Sequence, residues 1–117
     1  MGVNSGAHLE AIFGPLEIRV LQALWTRRSP ACVKDLQPGF PGVAYTTLMT
    51  TLDRLFRKGT LSRAKSGRAF YYQPKHTHDQ LILSMFVDTV GQFDKALLDE
   101  LEALVRARRE QLKESGE

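Results

Sequence analysis

The segment Tyr45–Lys58 constrains this chain more than any other part of it. Set on a wheel at 100° per residue, Tyr45, Leu48, Met49, Leu52, Leu55 and Phe56 fall within one arc of roughly 120°, the apolar face of an amphipathic helix. The opposite side is Thr46, Thr47, Thr50, Thr51, Asp53, Arg54, Arg57 and Lys58. A merely solvated face favours Glu, Lys or Gln, because β-branched threonine loses rotamer freedom in a helix. Four threonines beside arginines therefore point to a ligand. Their hydroxyls suit phosphates or base edges, their methyls suit the thymine methyl, and Arg54, one or two turns on, reaches guanine or phosphate. A surface helix that simply tolerates threonine is the competing reading.

The flanking residues supply a frame for such a helix. Gly14 suits an N-cap, Pro15 the first helical position and Glu17 the positive end of the dipole, so a first helix runs to about Thr26. Its apolar residues Leu16, Ile18, Val20, Leu21, Leu24 and Trp25 cover a wide arc, which makes it scaffold and assigns Trp25 to the core. Arg27-Arg28-Ser29-Pro30 breaks it, Val33–Gln37 reads as a brief second helix, and Gly39-Phe40-Pro41-Gly42 as a turn. This is the outline of a helix-turn-helix, though it fits many small bundles. Residues 1–14 form a loose arm in which Leu9, Ile12 and Phe13 are able to dock and His8 has no assigned role.

Downstream, Gly59 ends the helix in the left-handed conformation. Leu61-Ser62-Arg63-Ala64 and Ala69-Phe70-Tyr71-Tyr72 are strand-like runs around Lys65-Ser66-Gly67-Arg68, hence a β-hairpin. Leu61, Phe70 and Tyr72 are expected to pin it to the helices, with Arg63, Lys65 and Arg68 at or near its exposed tip. A basic hairpin directly after such a helix reads as a wing, against the plainer alternative of a solvated turn.

From Thr77 the pattern is helical again. Thr77 and Gln80 are spaced as a capping box, and Leu81, Ile82, Leu83, Met85, Phe86, Val87 and Val90 are apolar nearly all round. Gly91 interrupts, and a last helix from near Asp94 carries Leu97, Leu98, Leu101, Leu104, Val105 and Leu112 along one side. A winged module of about 60 residues has little room to bury two more helices. Residues 76–117 are thus expected to form a dimerisation region, with Leu81, Met85, Phe86, Val90, Leu97, Leu98, Leu101, Leu104 and Val105 against their copies. A tail folded back on its own head is the alternative.

Charge and composition narrow the function. Residues 1–75 hold eleven lysines and arginines against four acids, and residues 76–117 five against nine, so a basic head precedes an acidic tail. Cys32 is the single cysteine, which excludes an internal disulfide and a thiolate cluster. His76, His78 and Asp79 lack an evident fourth ligand and sit at a helix start, so no metal and no cofactor is expected. Nucleophile-elbow, P-loop, dinucleotide and zinc-protease motifs are all missing, which speaks against an enzyme. No apolar run is long enough for a membrane span and no signal peptide is readable, so the expectation is a cytoplasmic protein.

Three blocks taken together resemble the penicillinase repressor (BlaI/MecI/CopY) family. They are Ala44-Tyr45-Thr46-Thr47-Leu48-Met49-Thr50-Thr51-Leu52-Asp53-Arg54-Leu55, then Lys58-Gly59, then Gly67-Arg68-Ala69-Phe70-Tyr71-Tyr72-Gln73-Pro74, with Leu16-Glu17 through Leu24-Trp25 upstream. The likeness spans about residues 15–75 and fades beyond. It implies a mainly α fold with a small β-hairpin, a winged helix-turn-helix (15–75) followed by the helical dimerisation region. It also implies a dimeric repressor on a palindromic operator of β-lactam-resistance or related stress genes. Double-stranded DNA would meet Thr46, Thr47, Thr50 and Arg54, with Tyr45 opening the same helix, Arg68 as the wing contact, and Arg63 and Lys65 beside it. Members tied to antibiotic resistance are inactivated by cleavage in the dimerisation region, so a protease is an implied partner, but no cut position transfers to this chain. Copper-responsive members carry several cysteines near the carboxyl terminus, which are absent here. A winged helix that binds protein in place of DNA is the competing function.

Overall fold

The computed structural model describes residues 9–116; the expected arm up to His8 lies outside the described residues. Helix α1 (Pro15–Arg27) leads through the single turn α2 (Val33–Leu36) and a 3-10 turn (Gln37–Gly39) to α3 (Tyr45–Arg57). Strands β1 (Leu61–Ser66) and β2 (Ala69–Pro74) follow, then α4 (His78–Val90) and α5 (Lys95–Glu114). The two strands form one antiparallel hairpin, and the whole is a mainly helical winged-helix fold. The chain separates into two compact units, one ending at Ile82 and the other beginning at Leu83.

In the first unit, α1 starts where Pro15 is harmless and Glu17 reaches back, its Oε1 accepting the Gly14 N–H at 2.9 Å. Val20, Leu21 and Leu24 of α1 are fully buried, as are Leu48, Leu52 and Leu55 of α3 and Leu61 of β1. Since α1 packs on α3 and α3 on β1, these leucines make one seam that fixes the third helix against the body. Lys58, just past α3, ties the seam's end. Its Nζ lies 2.8 Å from the buried Glu17 carboxylate, donates to the Ile12 carbonyl at 3.2 Å and sits over the Phe13 ring. Leu9 and Phe13 are buried by this docking, while Ile12 stays exposed.

Gly59 takes a φ of 80°, and the Thr60 N–H returns to the Leu55 carbonyl at 3.0 Å, which stops α3 and turns the chain into β1. The strands pair from Leu61↔Pro74 to Ser66↔Ala69, leaving the two-residue connection Gly67-Arg68, with Gly67 at φ 64°. On the far side of β2, Tyr72 exchanges both backbone hydrogen bonds with Ala31, at 2.8 and 3.0 Å. The hairpin is thereby anchored at its base by Leu61, Tyr72 and this third short strand segment.

Trp25 is only half-buried, not the core residue expected. Its indole N–H donates to the His76 carbonyl at 2.9 Å, and its ring meets His78 edge-on at 5.3 Å, as suits a side chain with a polar handle at a rim. Helix α4 starts with the reciprocal Thr77 and Gln80 bonds its spacing predicts, at 2.9 and 3.1 Å. Leu81, expected at a dimer contact, is instead buried within its own chain.

In the second unit, Asp94 caps α5 by accepting the Leu97 N–H at 2.9 Å. None of its described side chains is fully buried. Leu83, Phe86, Val87, Leu97, Leu98, Leu104 and Val105 are exposed, and Met85, Val90 and Leu101 half-exposed. Among the described residues no helix is long and apolar enough to cross a membrane.

The seam gives a contrast that one unfolding experiment reads. Leu52→Ala, at a site with no exposure, should cost about 2–5 kcal/mol in urea denaturation. Met49→Ala, one turn away but 45% exposed, should cost less than about 1 kcal/mol. Equal losses would show that both face the core.

Candidate nucleic-acid interface

With the leucine seam on one side of α3, the other side is uncovered. Thr46, Thr47, Thr50 and Arg54 are all exposed. The Thr50 hydroxyl donates to the Thr46 carbonyl at 2.9 Å, so toward solvent it presents its methyl and its oxygen lone pairs. Ala44, at the N-cap, supplies no side-chain cap, which leaves the first amides of α3 open to an anion.

The buried arc of α3 is rotated by roughly 50° from the one the wheel predicts. Thr51, expected on the open face, is buried and donates its hydroxyl to the Thr47 carbonyl at 2.7 Å. Tyr45 and Met49, expected in the core, are 49% and 45% exposed. On the hairpin side of α3 lies a cleft of about 400 Å³, lined by Met49, Thr50, Asp53, Arg63, Phe70 and Tyr72. Met49 borders this opening, and Tyr45, in the first turn, is joined to the open face.

The hairpin divides its cations. Arg68, in the turn itself, is exposed and has no ion-pair partner among the described residues, and Lys65 is exposed with its ammonium 5.9 Å from the Phe70 ring. Arg63 is not at the tip. Its side chain is 24% exposed and turned toward α3, with Nη1 3.3 Å from Asp53 Oδ1. Its guanidinium lies 4.0 Å from the centre of the Phe56 ring and 4.1 Å from that of Phe70. Strand alternation places it there: Leu61, Arg63 and Lys65 share one face of β1, and Leu61 is in the core. That period-two rule was the signal available in the sequence. Phe70, expected to pin the hairpin, stays at the surface and does so through Arg63.

Asp53 gathers two arginines. Arg57 Nε donates to its Oδ2 at 2.7 Å, and Arg63 approaches its other oxygen. The Arg57 hydrogen bond first, and then the charges of Arg57 and Arg63, hold the Asp53 carboxyl below its ordinary value, against partial desolvation. Among the described residues Arg54 and Arg68 have no such acid partner, and both are exposed. Cys32 is buried, its N–H given to Asp35 Oδ2 at 3.1 Å, and Asp35 is lowered chiefly by that bond. Among the described residues no three His, Cys, Asp or Glu side chains gather as a metal site; His78 Nδ1 contacts Asp79 at 3.0 Å.

A leucine-anchored third helix with an open threonine-arginine face, flanked by a basic hairpin, defines a winged helix-turn-helix. Residues 13–115 match the penicillinase repressor family, and the chain belongs to that family. It is also 35% identical over 82 residues to the protein named transcriptional regulator BlaI of Mycobacterium tuberculosis, in strains CDC 1551 / Oshkosh and ATCC 25618 / H37Rv alike. That alignment covers 68% of this chain and 59% of the relative, so the match spans less than two thirds of the relative's length. Among solved structures, the crystal structure of M. tuberculosis Rv0081 is similar in fold, with a TM-score of 0.50 and 20% identity over 89% of this chain and 90% of that one.

The depressed Asp53 carboxyl sets a pH dependence with a definite sign. A group whose value is lowered by folding stabilises fully above its unfolded value and loses that contribution as pH falls through its folded value. The stability difference between the parent chain and Asp53→Asn should therefore be constant from neutral pH down to about 4 and shrink below it. Urea midpoints collected across this range check it; a difference that grows on acidification would contradict the pairing.

Proposed function

We propose that this chain is a sequence-specific DNA-binding transcriptional repressor that acts as a dimer on a palindromic operator in the cytoplasm. The observation that carries the reading is the uncovered face of α3, with Tyr45, Thr46, Thr47, Thr50 and Arg54 beside the unpaired cations Lys65 and Arg68 of the hairpin. Membership of a family of repressors supports it, as does the relative's name of transcriptional regulator.

In this reading α3 enters the major groove. Threonine methyls and oxygens meet base edges, Arg54 meets guanine or phosphate, and the hairpin's Arg68 and Lys65 meet the backbone. The open N-terminus of α3 adds amide donors for a phosphate. Repression then follows from occupancy, since two heads about one helical turn apart, or a small multiple of it, obstruct polymerase. The second unit holds the pair together. A helix of 20 residues with no buried side chain, carrying Leu97, Leu98, Leu104 and Val105 exposed, needs an apolar partner to be stable, and a second copy supplies one. The contact set is Met85, Phe86, Val90, Leu97, Leu98, Leu101, Leu104 and Val105, joined by Leu83 and Val87.

The three cations that the α3–hairpin surface presents in each head, Arg54, Lys65 and Arg68, make about six phosphate contacts per dimer, so log affinity should fall against log salt with a slope of roughly −5. Arg68→Ala should weaken binding to all duplexes and flatten that slope by about 2. Thr46→Ala and Thr50→Ala should instead change the preference between cognate and scrambled duplexes by about 1–3 kcal/mol. Gel shifts over a salt series separate these; equal losses on both duplexes for the threonine variants exclude base readout, and a shallow slope favours a protein ligand. Leu104→Glu should convert a dimer to a monomer in sedimentation velocity, and an unchanged dimer would place the contact elsewhere.

A further inference from the structure

We propose that Arg63 is the positioning residue of the interface: it locks the hairpin to α3 at a fixed angle, and the affinity carried by Arg68 passes through that lock. The inference rests on the DNA-binding reading above. It assigns to Arg63 a role that its charge and its place in a basic hairpin disguise.

Four observations converge on it. First, the guanidinium is filled between two aromatic rings from different elements, Phe56 of α3 at 4.0 Å and Phe70 of β2 at 4.1 Å. A planar cation stacks on such faces in a way that an ammonium does not reproduce. Second, its charge is met by Asp53 at 3.3 Å, and Asp53 is itself held by Arg57 at 2.7 Å, so the acceptor is oriented in advance. A neutralised, half-buried cation has little field left for a phosphate. Third, Arg63 faces Tyr72 across the strands. Because Tyr72 gives both backbone bonds to Ala31, this is a non-hydrogen-bonded pair, the kind whose side chains lie closest. The Tyr72 hydroxyl accepts from Arg63 Nη1 at 3.5 Å.

The fourth is where the tie falls. Leu61 anchors the base of the hairpin, while the cleft beside Met49 leaves its outer half without apolar support from α3. Arg63 bridges that gap, about three residues or roughly 10 Å short of the turn that holds Arg68. A two-stranded ribbon is marginal without packing, so its tip would otherwise wander. A tip held in place before DNA arrives avoids an ordering cost when it binds.

The test uses the full chain and a duplex it selects from a random pool. Arg63→Met and Arg63→Lys should each lose about as much affinity as Arg68→Ala, on the order of tenfold, because lysine keeps the charge but not the stacked plane. Phe70→Leu, which changes no charge, should show a loss in the same direction. In the Arg63→Met background, Arg68→Ala should cost less than about threefold, since the wing no longer delivers it. Major-groove protection by α3 should persist in these variants while backbone protection at the wing flank fades. The proposal is overturned if Arg63→Lys binds like the parent, or if the Arg63→Met and Arg68→Ala losses multiply, because both outcomes mark a direct phosphate contact. Amide exchange in the free chain gives an independent readout. Residues 64–71 should exchange faster in Arg63→Met and Phe70→Leu with the α3 amides unchanged, and unaltered exchange contradicts the lock. Should the parent chain select no duplex, the DNA-binding reading fails, and exchange alone then decides whether Arg63 fixes the hairpin.

Discussion

Burial of Leu48, Leu52 and Leu55 against α1 is the constraint on which the rest of the head depends. An isolated helix as short as α3 is unstable in water, so it exists because this stripe is withdrawn from solvent. Fixing the stripe also fixes what faces away from it. The exposure of Thr46, Thr47, Thr50 and Arg54 is the geometric consequence of the seam, and so is the turn at Gly59 that brings the hairpin alongside. The ion pair of Glu17 with Lys58 closes the same seam at its far end, where the chain leaves the helix.

The arginines then divide by what lies beside them. Arg57 and Arg63 converge on Asp53, whereas among the described residues Arg54 and Arg68 meet no acid. A single carboxylate thus divides a basic surface into a paired part and an unpaired part. The two units separate in the same sense. The head buries a core of its own, while the described leucines and valines of the second unit stay unburied.

Much of this was legible in the residues. The helix starts at Pro15, Thr77 and Asp94, the stop at Gly59 and the strand runs around Gly67 follow from local chemistry, and local chemistry is what a sequence displays directly. The misplacements have one origin: a wheel or a strand pattern knows its own element but not its neighbours. The arc on α3 centres on its apolar residues, yet what covers a helix is decided by its neighbours: Met49 opens onto the cleft beside the hairpin, while Thr51 is buried. The wide apolar arc of α1 places Trp25 in the core, while its N–H, bonded to the His76 carbonyl, holds it at a rim. Arg63 was assigned by charge, though its partner Asp53 and its ring contacts with Phe56 and Phe70 come from segments that only the fold brings together. Leu81 was grouped with the helix that follows, whereas the body of its own chain buries it.

In the proposed function the open face of α3 and the tip of the hairpin engage one duplex together. Nuclear magnetic resonance of the amide-labelled chain, titrated with a duplex of its own selection, tests it most directly. The amides of Thr46, Thr47, Thr50, Arg54, Gly67 and Arg68 should shift in step along one binding curve while the core amides of Val20 and Leu21 stay still. Shifts confined to α5, or hairpin residues that do not respond while α3 does, would contradict it.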